Sequence, residues 1–391
     1  MSLYAKRGVS AQKEEVHKAV AQLNQGLYPN AFCKIYPDYL GGSPDYVNVM
    51  HADGAGTKSI LAYLYWKQTG DISVWRGIAQ DAVIMNLDDL LCVGIHDNIV
   101  FNSTIDRNKH LITGEVLQQI IEGTQAVFDN LATHGVHVHY LGGETADVGD
   151  IVRTVAVNGT MTSRWPKNKL ITNDKIAAGN VIIGLASYGQ ANYEHAYNSG
   201  LGSNGLTSAR HDVLHKYYAN TYAESFDNSL ASDIVYIGGH SLTDVVLRHD
   251  GVESTIGSLL LSPTRTFAPI IKQLLTQHFD KINGLIHCSG GGQTKCLKYL
   301  PHPLKIIKDN LFDPPEIFSI IAQSSGSSLK EMYEVFNMGC RLEVYCQPEH
   351  ADAIIAVANS FGVAAQQIGR VEASQVKELV IEINGETIKY A

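Results

Sequence analysis

The sequence lacks the features that would place the chain in a membrane, outside the cell or on nucleic acid. Its six cysteines among 391 residues form no C-x-x-C pair and no zinc spacing, which predicts reduced cysteines in the core. No apolar run approaches the roughly 20 residues of a membrane span, and the first residues contain no signal-peptide core. The net charge of −9, without a lysine or arginine cluster, disfavours nucleic acid and anionic membranes as partners. We expect a cytoplasmic protein.

Several catalytic patterns are also absent. There is no H-E-x-x-H motif, and the segment from Gly184 to Gly189 is one residue too long for a nucleophile elbow. The segment Gly56-Thr-Lys-Ser59 only superficially resembles a P-loop, because a threonine separates its glycine from its lysine. His137 and His139 alternate along a predicted strand, and we interpret them as structural or surface residues.

What the sequence does contain is an acidic, glycine-rich loop after a predicted strand, Tyr46–Met50. Glycines in such a loop let backbone N–H groups approach an anion closely. A carboxylate can hold a divalent metal and a lysine can neutralise a phosphate, as a nucleotide site requires. Taken alone, a tight turn with a surface lysine explains the loop equally well. The residues predicted to contact nucleotide here are Asp53, Gly54, Gly56, Thr57 and Lys58.

Two further glycine loops strengthen the prediction of an anion site. The predicted strand Val136–Leu141 leads into Gly142–Asp147, and the predicted strand Leu285–Cys288 leads into Ser289–Gly292. The second loop opens a predicted helix from Gln293 to Leu300, whose first turn leaves N–H groups unpaired. Three such loops in one chain are hard to explain as turns alone.

A predicted helix from Ile72 to Gly94 carries two adjacent acids. Asp89 falls beside an apolar stripe, so we expect it to be buried and to need a hydrogen-bonding cation or a metal as partner. The alternative is that Asp88 and Asp89 are solvated acids near the end of the helix.

The order of these motifs resembles the phosphoribosylformylglycinamidine cyclo-ligase (aminoimidazole ribonucleotide synthetase) family of purine biosynthesis. The resemblance covers nearly the whole chain, and its first three motifs are shared with a wider ATP-using superfamily. The matching segments are Asp53-Gly-Ala-Gly-Thr-Lys58, Met85-Asn-Leu-Asp-Asp-Leu90, Gly142-Gly-Glu-Thr-Ala146, Gly202-Ser-Asn-Gly205, Ser262-Pro-Thr-Arg265, His287-Cys-Ser-Gly-Gly-Gly292 and Met332-Tyr-Glu-Val-Phe-Asn337-Met-Gly339.

The resemblance implies an α+β protein of two α/β sandwich domains, the first pairing with a partner's into a dimeric β-barrel. Length and a hydrophobic content of 45% also favour two domains. We expect residues 1–168 to form an ATP-binding and dimerisation domain, and residues 169–391 to form a domain with a glycine-rich phosphate loop. Further predicted helices span residues 11–23, 115–131, 268–278 and 351–361.

The resemblance further implies that ATP and a small ribonucleotide are the substrates, that Mg²⁺ is required and that the protein is a homodimer. The implied catalytic residues are His287, Asp89 and Lys58, and His195 is a further candidate because it lies in an apparent insertion. The implied metal ligands are Asp53, Asp89 and Glu144. The remaining implied nucleotide or substrate contacts are Gly142, Gly143, Thr145, Gly290, Gly291, Gly292, Asn337 and Arg265.

Departures from the family pattern leave questions open. The family usually has Asn-Asp where this chain has Asp88-Asp89, and an aspartate in place of Asn102. A histidine normally stands where this chain has Gly202. Two insertions, residues 190–200 and 222–252, are apparent, and the first contains His195. Either His195 replaces the missing imidazole, or His287 makes it dispensable.

Two other interpretations remain. A kinase or selenophosphate-synthetase-like relative would share the ATP half, but Cys33 lacks the glycine-rich setting of a reactive cysteine. The other interpretation is a non-catalytic nucleotide-binding paralogue that has glycine, Gly202, in place of the family's histidine.

Overall fold

The computed structural model describes residues 3–10 and 14–391. Two short helices, α1 (Leu3–Lys6) and α2 (Glu14–Val20), come first. The helix predicted over residues 11–23 lies partly on residues 11–13, outside the described residues.

The first sheet has five strands in the spatial order β1-β2-β5-β3-β4, all antiparallel except the β3–β4 pair. Its strands are β1 (Ile35–Pro37), β2 (Tyr46–Gly54), β3 (Ile99–Arg107), β4 (Val138–Asp147) and β5 (Val155–Pro166). The helices of this half are α3 (Lys58–Thr69), α4 (Val74–Leu91) and α5 (Gly114–Thr133). The sheet packs one face on α4, and β1 and β4 are its edge strands.

Helix α4 is buried on nearly every side, between the first sheet, α5 and elements of the second half of the chain. A helix with apolar residues all around it is one that sits inside a protein. Its acids therefore lie at an internal junction, as expected for Asp89 and contrary to the solvated alternative.

The second sheet has seven strands in the order β11-β13-β6-β14-β12-β15-β16, with β12 and β15 parallel and the other pairs antiparallel. Its strands are β6 (Val181–Ala186), β11 (Ile282–His287), β12 (Leu304–Lys308), β13 (Cys340–Cys346), β14 (Ala365–Ala373), β15 (Glu378–Ile383) and β16 (Glu386–Tyr390). The predicted domain boundary at 168/169 falls between the end of β5 and the start of β6.

Helices and two small hairpins complete the second half. The helices are α6 (Leu206–Val213), α7 (Tyr217–Thr221), α8 (Ile256–Leu261), α9 (Ala268–His278), α10 (Glu316–Ser325), α11 (Leu329–Val335) and α12 (Ala351–Ser360). The hairpins pair β7 (Tyr188–Gly189) with β8 (Asn198–Ser199), and β9 (Val245–Leu247) with β10 (Glu253–Thr255). No helix of the described residues is long and apolar enough to span a membrane.

One predicted local structure is wrong, and one predicted helix is of a different kind. Residues Gly142–Asp147 are the second half of strand β4 and not a loop, because parallel pairing with β3 continues to Asp147 and outweighs the turn signal of the glycines. The helix predicted from Gln293 to Leu300 is a 3₁₀ helix, Gly292–Tyr299. The six cysteines are free and buried, as predicted.

Candidate active site between the two sheets

The C-terminal half of α4 carries the centre of the candidate site. Asp89 is buried, and each of its carboxylate oxygens meets an imidazole from a different strand. His287, the last residue of β11, places its Nδ1 2.6 Å from Oδ1 of Asp89. His51, in β2, places its Nε2 3.1 Å from Oδ2. One carboxylate thus joins the first sheet to the second.

The hydrogen-bond partners of His51 define its protonation. The amide nitrogen of Asn86 donates to the backbone oxygens of Asp53 and Ala82, so its Oδ1 is the atom that faces Nδ1 of His51, at 3.2 Å. Both ring nitrogens of His51 therefore face acceptors, the arrangement of a protonated imidazolium. Burial lowers the pKa of His51, but the hydrogen bond and charge of Asp89 outweigh it and raise that pKa above its ordinary value.

The two histidines differ in access to solvent. The side chain of His51 is 22% exposed, whereas that of His287 is fully buried. Burial alone would raise the pKa of Asp89, yet the hydrogen bonds from His287 and His51 hold it below its ordinary range. His287 anchors an ionised Asp89 from inside, and His51 presents the accessible cation.

Sequence reasoning missed His51. The signal was present, because side chains two apart on a strand share a face, and Asp53 lies two residues after His51. Val47 and Val49 are buried on the same face, which is the one packed on α4. Strand β2 extends four residues beyond the predicted end at Met50, and it therefore turns both polar side chains towards α4.

The predicted loop Gly290–Gly292 lies beside this cluster, directly after His287. A Cβ built on Gly290 would have the side-chain amide of Asn204 as its nearest neighbour, at 3.5 Å, so the loop meets the Gly202–Gly205 motif. Lys295 follows in the 3₁₀ helix, with its Nζ 5.5 Å from the ring centroid of Phe32. Within the described residues no carboxylate pairs with Lys295. It is a second cation that sequence reasoning missed.

Lys58 occupies a different position from the one predicted. Its side chain is fully buried, and Nζ lies 2.9 Å from Oδ1 of Asp81 and 2.5 Å from the backbone oxygen of Ser262. The same Asp81 oxygen accepts from the backbone and side chain of Thr264. In this arrangement Lys58 joins α3 and α4 to the Ser262–Arg265 segment and presents no surface to a phosphate.

Two predicted substrate contacts are also engaged inside the protein. Arg265 is fully buried and forms a two-point ion pair with Glu194, at 2.9 and 2.5 Å. Asn337 donates to the backbone oxygens of Gly200 and Leu201 and accepts from Ser187. Both side chains hold the segment that precedes the Gly202–Gly205 motif, and the structure gives each a positioning role.

The structure does not assemble the three predicted metal ligands in one chain. Asp53 of β2 lies opposite Gly159 of β5, and Gly159 lies opposite Ser103 of β3. Ser103 in turn lies opposite Gly143 of β4, the neighbour of Glu144. Three strand spacings separate Asp53 from Glu144, about 14 Å along the sheet. One Mg²⁺ holds its ligands at about 2.1 Å, so these two carboxylates cannot share an ion within a chain. The described residues contain no cluster of three or more histidine, cysteine or acidic side chains that could hold a metal.

The departures at Asp88 and Gly202 are linked. Asp88 is fully buried and pairs with Arg341, at 3.2 Å, and with Thr266, at 2.8 Å. Gly202 has a left-handed backbone, φ +72°, and a Cβ there would lie 3.3 Å from the Arg341 guanidinium. A histidine at position 202 would thus be both strained and adjacent to a cation. The guanidinium neutralises the carboxylate that replaces the family's asparagine.

His195 lies away from this cluster. It is exposed, and it lines a cavity between α4, α5 and the first insertion. No hydrogen bond or ion pair joins it to Asp89 or His287 within the described part of the chain. His137 and His139 are exposed, as predicted.

Comparisons with known proteins give consistent matches. The model of "AIR synthase related protein, N-terminal domain" matches residues 38–164, and that of "AIR synthase related protein, C-terminal domain" matches residues 230–382. The phosphoribosylformylglycinamidine cyclo-ligase of Methanocaldococcus jannaschii is 28% identical over 344 residues, which are 88% of this chain and 82% of that protein.

Solved structures share the fold. A HypE–HypF complex aligns with a TM-score of 0.57 at 14% identity, over 96% of this chain and 98% of that chain. AaThiL complexed with AMPPCP and TMP aligns with a TM-score of 0.54 at 10% identity, over 97% of this chain and 96% of that chain.

Proposed function

Because the chain belongs to the AIR synthase-related family, we propose that it closes the imidazole ring of aminoimidazole ribonucleotide from formylglycinamidine ribonucleotide, using ATP. The relative from Methanocaldococcus jannaschii bears the name of this cyclo-ligase and matches along most of the chain. The observation that carries the proposal is the Asp89 carboxylate held between His51 and His287, next to the Gly290–Gly292 loop.

The proposed reaction has two steps. The formyl oxygen attacks the γ-phosphorus of ATP and ADP leaves, which converts the oxygen into a phosphate leaving group. The amine nitrogen then attacks the activated carbon, the C–O bond breaks, and phosphate departs as the ring closes. Since the chemistry belongs to the substrates, the protein contributes positioning and charge neutralisation.

The cations of the site suit this task. The His51 imidazolium is held in place by Asp89 and Asn86, and Lys295 has no internal carboxylate partner among the described residues. Together with the backbone N–H groups of Gly290 and Gly291, they would neutralise transferring phosphate, whereas the N–H of Gly292 donates to the backbone oxygen of Ser289. We propose that His287 fixes the orientation of Asp89 and that Lys58 fixes the junction of the two halves.

The residues present fit Mg²⁺ in part. Mg²⁺ commonly binds one or two carboxylates plus substrate phosphates, and when bound it would neutralise phosphate charge. Asp53 is exposed at the end of β2 and suits this role. Asp89 already accepts hydrogen bonds from two imidazoles, one of them cationic, so its direct ligation would require His51 to move. We assign the metal to Asp53 first.

We also propose that the protein is a cytoplasmic homodimer. The first sheet ends in the edge strands β1 and β4, of which β1 accepts one backbone hydrogen bond, from Leu27, and its outer face exposes Met50 and Leu141. Open edges and exposed apolar side chains on one sheet favour association. A partner's sheet that closes this one into a barrel would cover them.

The test is a coupled assay with formylglycinamidine ribonucleotide and ATP that reads both ADP release and the aminoimidazole product. Production of both, in equal amounts, supports the cyclo-ligase. If ADP is released only when a phosphate acceptor other than formylglycinamidine ribonucleotide is present, the protein is a kinase of the superfamily. If neither product forms, a nucleotide-binding paralogue is favoured.

The metal assignment predicts different defects for two isosteric variants. Asp53→Asn should weaken binding of Mg-ATP and raise the Mg²⁺ concentration needed for half-maximal rate, because it removes the proposed ligand. Asp89→Asn should instead lower kcat by about 10²-fold or more with a smaller change in Mg²⁺ dependence, because it loosens His51 and His287. Calorimetry with Mg-ATP and rates across a Mg²⁺ series measure both effects. Unchanged Mg-ATP affinity in Asp53→Asn would refute the assignment.

A further inference from the structure

A cavity lies apart from the Asp89 cluster, against α4 and α5. Its volume is about 460 Å³, and it opens between α4, α5 and the inserted segment 193–198. That size falls within the range of small-molecule sites, about 300–1,000 Å³. The lining includes no member of the Asp89, His51 and His287 cluster.

The inserted segment is built to form this cavity. Glu194 is tied to buried Arg265 and to the backbone N–H of Ala191, and the hydroxyl of buried Tyr193 donates to the backbone oxygen of Thr266. Tyr197 is covered on one face by the guanidinium of Arg248, 3.7 Å from the ring centroid. The segment therefore has a defined shape against the two helices.

Two amides on facing helices determine what the cavity can bind. Gln80 on α4 donates to the backbone oxygen of Thr264, and Asn130 on α5 donates to that of Tyr193, which fixes both nitrogens. The carbonyl oxygen of each amide then has no partner within the described residues. Each half-buried amide therefore offers the cavity a carbonyl acceptor and the second N–H of its nitrogen, which favours a ligand that carries both an N–H donor and an acceptor.

The other walls favour a flat aromatic body. Most of the lining is apolar, and it includes the rings of His134 and Tyr193, whose centroids lie 5.7 Å apart, and of Tyr197. Arg76, which also pairs with Glu122 at 2.8 Å, and His195 are exposed residues of the lining that could meet an anionic group in solvent.

We infer that this cavity binds a planar nitrogen heterocycle with an exocyclic amine, the chemistry of an adenine base. The amine donates to Gln80 or Asn130, and the ring packs among the aromatic side chains. A free nucleoside and a nucleoside monophosphate share this base. They differ in the phosphate, which would lie at Arg76 and His195.

The experiment measures binding of adenosine, AMP and purine riboside by calorimetry, and the cavity-filling variants distinguish this cavity from an ATP site. Wild type should bind adenosine, and purine riboside, which lacks the amine, should bind about fivefold more weakly through the loss of one or two neutral hydrogen bonds. If AMP binds more tightly than adenosine and His195→Ala removes the difference in affinity, the ligand is a nucleotide. If AMP and adenosine bind with equal affinity, the ligand is the nucleoside.

Cavity-filling variants provide the control. Ala126 is exposed on α5 and lines the cavity, so Ala126→Trp should abolish adenosine binding, and the smaller Ala126→Phe should weaken it. Ala132 is exposed on the same helix but does not line the cavity, so Ala132→Trp should bind like wild type. Melting temperatures without ligand confirm folding, and with adenosine they should rise only in proteins whose cavity is open.

The inference is overturned by equal binding in Ala126→Trp and Ala132→Trp, by equal affinity for adenosine and purine riboside, or by no saturable binding in wild type up to about 1 mM. These readouts do not require turnover. They therefore separate this inference from the proposed cyclo-ligase activity.

Discussion

Single residues in this protein act mainly through the partner each one has inside the fold. Lys58 and Asp89 carry charges that sequence motifs assign to nucleotide binding, but one is enclosed by Asp81 and Ser262, and the other by two imidazoles. A buried charge without its partner is costly, so these pairs constrain the site before any ligand arrives.

Lys58→Met tests the structural role of the lysine. Removing the cation leaves Asp81 buried without its counter-ion, and we expect a loss of about 3–5 kcal/mol in the free energy of unfolding. The double variant Lys58→Met/Asp81→Asn should recover part of it, because no buried charge remains. Urea unfolding of the two variants and wild type provides the measurement. A normally stable Lys58→Met protein that binds ATP poorly would instead support the phosphate role.

At the scale of elements, the site depends on how short segments meet. The 3₁₀ helix Gly292–Tyr299 begins where the glycine loop packs against the end of α11. Gly292 has φ +48°, and a Cβ there would lie 2.5 Å from the backbone oxygen of Phe336. Gly290 has no such contact, since only Asn204 approaches its Cβ position.

Two alanine substitutions in this loop should therefore affect different properties, one the stability of the fold and the other the KM for ATP. Gly292→Ala should destabilise the fold by about 1–2 kcal/mol, the cost of a left-handed alanine, with more from the overlap. Gly290→Ala should leave the melting temperature unchanged but raise KM for ATP, because its methyl group occupies the space proposed for phosphate. Thermal melts and ATP kinetics are the two measurements. Equal stability of the two variants would show that the loop is not held as described.

At the scale of the whole molecule, the open first sheet carries the prediction of a dimer. Light scattering at low micromolar concentration should give about twice the chain mass of 42.7 kDa. Met50 is 67% exposed on the outer face of β2, so Met50→Asp should shift the protein towards monomer. Ile151 is 83% exposed in a loop outside the sheet, so Ile151→Asp should remain dimeric. A monomeric wild type with full activity would contradict the prediction.

The sequence by itself determined several of the helices and the order of the motifs. The helix Ala268–His278 was predicted with its observed bounds, and α5 and α12 within two residues, because their amphipathic periods and end signals are local properties of the chain. The same local reasoning identified Asp89 as a buried acid that needs a partner. It also identified the glycine loop after His287.

Only the tertiary structure decided which charges meet. The partners of Asp89 lie 38 residues before it and 198 residues after it along the chain, and those of Lys58 lie 23 and 204 residues away. Ion pairs and hydrogen bonds over such separations depend on how sheets and helices pack, which spacing in a sequence does not encode. For this reason Lys58 and Arg265, predicted as ligand contacts, are internal partners, while His51 and Lys295, which were not predicted, are the accessible cations of the site.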